Sequence, residues 1–147
     1  MRACITNVSI LLLVATFACK GPVASGPSQP VLSATTSGLG FADLVIGDGP
    51  SPRAGQTCVI EATGWVEEHG RKGGVILDTR KRGYPATFPL GVGRVIKGWD
   101  EGLATMKKGG KRLLRVPPNL GYSPAEAGKD IPPGATLLFE IEVIDIR

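Results

Sequence analysis

Residues 136–146 read Thr136-Leu137-Leu138-Phe139-Glu140-Ile141-Glu142-Val143-Ile144-Asp145-Ile146, a run in which apolar and acidic side chains alternate. A period of two belongs to a strand with one face on a core and the other toward water. It places Leu137, Phe139, Ile141 and Val143 inward and Glu140 and Glu142 outward. A half-buried strand needs antiparallel neighbours, and the chain upstream supplies them. Lys111 to Val116 is one, stopped by Pro117-Pro118, and Ala86 to Leu90 and Val75 to Thr79 are shorter ones. Gln56 to Glu67 is longer, with Cys58, Ile60 and Ala62 on one face and Val59, Glu61 and Thr63 on the other. Phe41 to Ile46 ends in the turn cluster Gly47-Asp48-Gly49-Pro50-Ser51-Pro52. Only Lys97 to Met106 has helical spacing, with Trp99, Leu103 and Met106 on one stripe. The count predicts an α+β fold: a five- or six-stranded antiparallel sheet with one short helix packed on it.

Composition agrees with this reading and removes much chemistry. The chain has 147 residues, enough for one domain and some additional segments, and its 21 glycines and 12 prolines against 5% aromatics suit a turn-rich, strand-based fold. His69 is the only histidine, so a histidine metal cluster is excluded and any Ser-His-Asp or Cys-His apparatus would hang on that one residue. It sits in Glu67-Glu68-His69-Gly70-Arg71, a polar tip between strands that reads as a solvated turn. A net charge of +4, without a dense basic face interleaved with aromatics, does not describe a nucleic-acid binder. Gly91-Val92-Gly93 lacks the third glycine and the βαβ setting of a dinucleotide loop.

Residues 1–19 have the layout of a secretory signal peptide: Arg2, an apolar core from Ile10 to Phe17, then Ala18-Cys19. The apolar run is shorter than the roughly 20 residues that span a bilayer. Thr16-Phe17-Ala18-Cys19 resembles a bacterial lipobox, in which the cysteine is lipidated and becomes the mature N-terminus. Phe17 and Thr16 depart from that pattern, and ordinary cleavage near Ala18 or Ala24 is the alternative. Lipidation of Cys19 gives an exported cysteine a fate, since Cys4 also falls in the targeting segment and Cys58 is left alone in the folded part. Cys58, in an alternating strand, reads as a buried structural thiol. Residues 20–38, rich in Pro, Gly, Ser and Thr, read as a flexible tether of about 25 Å. The domain proper is expected over 39–147.

Within that domain the candidates for chemistry are polar residues set among apolar ones. Asp78 follows Val75-Ile76-Leu77, where an unpaired carboxylate is costly to bury. It is therefore expected either half exposed or held by a cation such as Arg80 or Arg82. Trp99 and Tyr122 each carry a polar handle that a sealed core would have to satisfy. Phe88, Val95 and Phe139 would face inward in any such fold, so by themselves they indicate core.

Two blocks decide between these readings. Gly91-Val92-Gly93-Arg94-Val95-Ile96-Lys97-Gly98-Trp99-Asp100-Glu101-Gly102 and Ile131-Pro132-Pro133-Gly134-Ala135-Thr136-Leu137-Leu138-Phe139-Glu140-Ile141-Glu142 resemble the two signature blocks of the FKBP-type peptidyl-prolyl cis-trans isomerases. The similarity runs from 39 to 147 and takes in Gly55-Gln56-Thr57 and Thr63-Gly64. It implies a half-barrel, a curved antiparallel sheet wrapped around a short helix, with a proline pocket between them. Trp99 would form the pocket floor, Phe139 would stand beside it, and Asp78 and Tyr122 would assist the rotation. Leu77, Phe88, Val95, Ile96 and Ile131 would complete the walls that bind the substrate.

The resemblance further implies an enzyme without metal or cofactor that accelerates X-Pro rotation in proline-containing unfolded or nascent polypeptides. With the targeting segment, this predicts an exported protein of the cell envelope or periplasm, touching a membrane only through an N-terminal lipid. A monomer is expected, because Glu140 and Glu142 mark the outer sheet surface as solvated. Departures from the family pattern temper the activity. Ala62, Leu77 and Ala86 stand where the family has aromatic residues, Ala127 stands where a histidine is frequent, and Lys72 to Val75 lengthens the preceding turn. These changes predict a wider pocket, weaker binding of macrolide inhibitors and better acceptance of bulky residues before proline. Two function classes stay open on the sequence: a prolyl isomerase, and a weakly catalytic proline-peptide-binding or chaperone module on the same fold.

Overall fold

The computed structural model describes residues 30–147. Residues 1–29, which hold the expected signal peptide, Cys19 and the first part of the expected tether, lie outside the described residues. Chain order is β1 (Ser33–Ala34), β2 (Gly40–Val45), β3 (Thr57–Glu68), β4 (Arg71–Asp78), α1 (Thr79–Arg82), β5 (Ala86–Pro89), α2 (Lys97–Ala104), β6 (Lys111–Val116) and β7 (Leu137–Ile146). The strands form one antiparallel sheet in the order β1-β2-β6-β7-β3-β4, and β5 pairs with β3 off that path.

β7 lies in the middle of the sheet because its alternation gives it a face to bury and two edges to pair. Phe139 stands opposite Leu114 of β6 and Gly64 of β3, and Ile141 opposite Arg112 and Ala62. Leu137, Phe139, Ile141 and Val143 are buried, as the period of two requires. They join Cys58, Ile60, Leu114 and Val116 in one core, each large side chain contributing ~1.5–3 kcal/mol relative to exposure.

Helix α2 presses Trp99 and Leu103 into that core, and Met106, two residues beyond its end, joins them there. Gly98 and Gly102, one turn apart, let its backbone lie against β6. A Cβ at Gly98 would stand 2.7 Å from Cγ1 of Val116, and one at Gly102 would stand 2.6 Å from Cδ1 of Leu114. The far end of the helix is held by Arg112, which is buried. Its guanidinium donates to the carbonyl of Gly102 at 2.8 Å and to Oγ1 of Thr105 at 2.7 Å, and it pairs with Asp43 at 2.6 Å. A cation at a helix C-terminus suits the helix dipole, and Asp43 compensates its burial.

Four details depart from the sequence expectation. The sheet has seven strands, because Ser33 and Ala34, assigned to the tether, pair with Phe41 and Gly40. β4 begins at Arg71, so Lys72 to Val75 does not lengthen the turn. The hairpin turns tightly at His69 and Gly70, both at positive φ, and the additional residues are taken up as register shifts beside Trp65. Thr79 is not the end of a strand but the start of α1, a single turn that the short run Thr79-Arg80-Lys81-Arg82 did not announce. The outer face is also less open than its glutamates suggested. Leu113 and Leu138 are buried there, under the ion pairs of Glu140 with Lys72 and Lys111 and of Glu67 with Arg115.

Candidate active site

Trp99 is the centre of an aromatic cluster at the start of α2. Its ring meets Phe139 edge-on, with centroids 5.2 Å apart, and Phe88 at a tilt, 5.7 Å away. Edge contacts of this kind are favoured by the ring quadrupoles and fix the indole plane. Phe139 reaches this position because β3 has a glycine opposite it: a Cβ at Gly64 would stand 2.5 Å from Cε1 of Phe139. The indole Nε1 of Trp99 is buried and has no hydrogen-bond partner among the described residues. Leaving such an N–H unpaired costs ~1–3 kcal/mol, so it is a donor waiting for an acceptor.

The segment before Trp99 is shaped by Asp100. Its carboxylate accepts from the N–H of Gly91 at 2.8 Å and of Gly93 at 3.2 Å, folding the loop back over the helix start. Gly91 and Gly93 both have φ of 73°, a conformation that side-chain-bearing residues rarely adopt. The loop then delivers Val95 and Ile96 half-buried against the core. The carbonyl of Ile96 accepts from the N–H groups of Trp99 and Asp100, at 2.9 and 3.2 Å. Its own N–H has no protein acceptor among the described residues and remains open to a ligand.

Two cavities open beside this cluster and share Tyr122. The larger, of about 640 Å³, is lined by Val95, Ile96, Arg94, Lys97, Tyr122 and Glu126 among others. The second, of about 330 Å³, is mostly apolar and lies between Tyr122, Ala127, Ile131 and Leu137. Burial pushes the Tyr122 phenol above its ordinary value, with the Arg82 guanidinium opposing and the Glu126 carboxylate adding. It therefore stays a protonated hydrogen-bond donor at neutral pH.

The structure thus gathers the expected residues in two layers. Val95, Ile96, Tyr122, Ile131 and Leu77 are half-buried and pack on the core, while Phe88, Trp99 and Phe139 form the layer behind them. Phe139 is fully buried, so it reaches the site only through its edge contact with Trp99. Leu77, Phe88, Trp99 and Phe139 line neither cavity, and nor does Asp78. It ends β4, where its carboxylate accepts from the N–H of Lys81 at 3.1 Å and caps α1. Its nearby cation is Lys81, at 3.9 Å, and not Arg80 or Arg82. Arg80 turns to the outer face instead and pairs with Glu61 and Glu142. Ala62, at one of the trimmed positions, is buried, and its N–H and carbonyl are bonded to the Thr79 hydroxyl at 2.9 and 3.3 Å. Thr79 was not among the sequence candidates, although it ties α1 to the sheet.

Comparison with known proteins is consistent across sequence and fold. Residues 49–144 match the model of the family described as FKBP-type peptidyl-prolyl cis-trans isomerase. The chain belongs to this family. The FK506-binding protein of Neisseria meningitidis serogroup B is 47% identical over 109 residues, covering 74% of this chain and 96% of the relative. The chloroplastic peptidyl-prolyl cis-trans isomerase FKBP13 of Arabidopsis thaliana is 43% identical over 123 residues, 76% of this chain and 57% of that one. The crystal structure of AtFKBP13 superposes with a TM-score of 0.72 at 41% identity, covering 80% of this chain and 99% of that chain. That of FkpA from Escherichia coli gives 0.70 at 34% identity, over 79% and 51%. In this FKBP-type chain Gly64, Gly98 and Asp100 shape the site as much as its walls do. Gly98 and Asp100 stood inside the first block and Gly64 in the separate Thr63-Gly64 match, which the pattern alone did not resolve into roles.

Proposed function

We propose that this isomerase acts on X-Pro bonds at the surface formed by Val95, Ile96, Tyr122 and Ile131 over Trp99. The observation that carries the reading is the set of unengaged donors beside an apolar wall: the Ile96 N–H, with the buried Nε1 of Trp99 behind it. Rotation about X-Pro faces a barrier of about 18–20 kcal/mol, because twisting removes amide resonance. No bond has to break. The twisted amide is less polar than the planar one, so an apolar wall lowers its energy relative to the ground state. Val95, Ile96 and the Trp99 floor would hold the ring, the Ile96 N–H would take a substrate carbonyl, and the Tyr122 hydroxyl would donate along the peptide. Asp78, fixed at the start of α1, would act by orienting the substrate. Such positioned donors in a site shielded from water are worth several kcal/mol without proton transfer.

The cavity beside Ala127 supports a wide site, with room for bulky residues before proline and weaker grip on macrolide ligands. The test is the cis-to-trans rate of a short X-Pro peptide with the wild type and with Trp99→Leu, Tyr122→Phe and Asp78→Ala. Acceleration that falls about tenfold or more in the Trp99 variant supports the reading. Peptide binding without acceleration would leave only a recognition module.

We further propose that residues 1–19 export the chain and that Cys19 carries a lipid, so that a monomeric domain assists exported proteins from a membrane surface in the envelope or periplasm. Supporting this are the charge, apolar run and Ala18-Cys19 ending of that segment. Labelling with a radioactive fatty acid should mark the wild type and not Cys19→Ala. Equal labelling of both would remove the anchor.

A further inference from the structure

We infer that the site prefers X-Pro segments with an acidic side chain next to the proline. The inference rests on the isomerase reading and adds a substrate class to it. Two of the charged residues lining the larger cavity, Arg94 and Lys97, are exposed and form no ion pair among the described residues. A third cation, Arg82, ends α1 close enough to Tyr122 to act on its hydroxyl, and it too is exposed and unpaired among those residues.

Three carboxylates of the same region keep their charge but are held by the chain itself, whereas Asp130, exposed beside Ile131, has no ion pair among the described residues. Asp100 holds the N–H groups of Gly91 and Gly93, and Asp78 caps α1 and faces Lys81. Glu126 folds back on Ser123, accepting from its N–H at 3.2 Å and its hydroxyl at 2.6 Å. On the sheet, by contrast, Lys72, Lys111, Arg80 and Arg115 each face a carboxylate. Lys97 occupies the first position of α2, where the helix dipole disfavours a cation, and Ile96 gives that end no side-chain cap. Its charge therefore does nothing for the helix and projects into the mouth of the cavity. A carboxylate on an entering peptide can pair with Arg94 or Lys97, which have no partner among the described residues, an attraction that salt screens beyond a Debye length of about 8 Å at physiological strength.

The experiment uses the full chain and matched peptides carrying Glu or Gln immediately before or after the proline. Isomerisation rate and, by fluorescence anisotropy, binding are both measured, so that the charge preference can be read with or without turnover. A preference for Glu of about threefold at one of the two positions is expected at low salt, the size that exposed charge pairs give. It should fall to near one in ~0.5 M salt and in the Arg94→Gln/Lys97→Gln double variant. It should survive in Lys107→Gln, which alters a separate hollow beyond the other end of α2. Equal handling of Glu and Gln at both positions, or a preference that the double variant leaves intact, overturns the inference. Acceleration of both peptides alike would do so while leaving the isomerase reading in place. Charge-selective binding without acceleration would do the reverse.

Discussion

At Gly98 a methyl group would stand 2.7 Å from Cγ1 of Val116, a buried β-branched side chain with little freedom to turn away. An alanine would gain the helix about 1 kcal/mol in propensity, whereas overpacking of this kind costs ~1–3 kcal/mol. The clash wins, and relief by tilting α2 would carry Trp99 with it. Gly98→Ala is therefore expected to lower stability by ~1–2 kcal/mol, seen as a lower denaturant midpoint at unchanged slope, and to slow peptide isomerisation. A more stable, fully active variant would show that α2 does not rest on β6 as described. The sequence singled out Trp99 by its polar handle, and that indole N–H is the one buried side-chain donor without a partner among the described residues. For Asp78 it left the partner open. Three basic residues follow that aspartate, and which one faces it depends on whether the chain continues extended or turns. The turn into α1 sends Arg80 to Glu61 and Glu142 and leaves Lys81 beside Asp78.

Among the elements, β7 was the most legible, since its alternation gave both its buried face and its outer glutamates. What alternation could not give was the partner of each glutamate, because cross-strand neighbours depend on register. Glu140 lies between Lys111 and Lys72, with Lys111 contributing most to holding its carboxyl below the ordinary value near 4.5. A carboxyl depressed in the folded state stabilises the fold fully above its unfolded value, and that contribution is lost as pH falls through the folded value. Glu140→Gln is thus expected to cost ~0.5–1 kcal/mol at pH 7, with the gap to wild type closing below about pH 4. Denaturant unfolding of both proteins at several pH values checks this. A gap that persists or widens in acid would contradict the pairing. The β3–β4 hairpin was harder to read, because Gly73 and Gly74 permit either a long turn or a bulged strand. Their placement in β4 follows from pairing with β3 that no local pattern encodes.

At the scale of the molecule, six of the seven strands and helix α2 were visible in the spacing of apolar residues, whereas β1 and α1 were not. The enclosure of the helix by the sheet came from resemblance to a family. Long-range pairing of β3 with β7, and of β2 with β6, brings together segments separated by most of the domain, and periodicity carries no information on that closure. The pairing of Ser33 and Ala34 with β2 escaped notice for a similar reason, since a two-residue strand has no period. Closure is also what builds the site. It sets Phe88, Trp99 and Phe139 in one cluster and leaves Ile96, Tyr122 and Ile131 at its edge. The most direct test of this account is exchange NMR on an X-Pro peptide, which reads the cis-trans interconversion rate with no coupled reaction. With catalytic amounts of wild-type protein the exchange rate should rise in proportion to protein concentration, and the Trp99→Leu variant, folded by its spectrum, should give much less. Unchanged exchange in the presence of folded wild-type protein would contradict the assignment of catalysis to this surface.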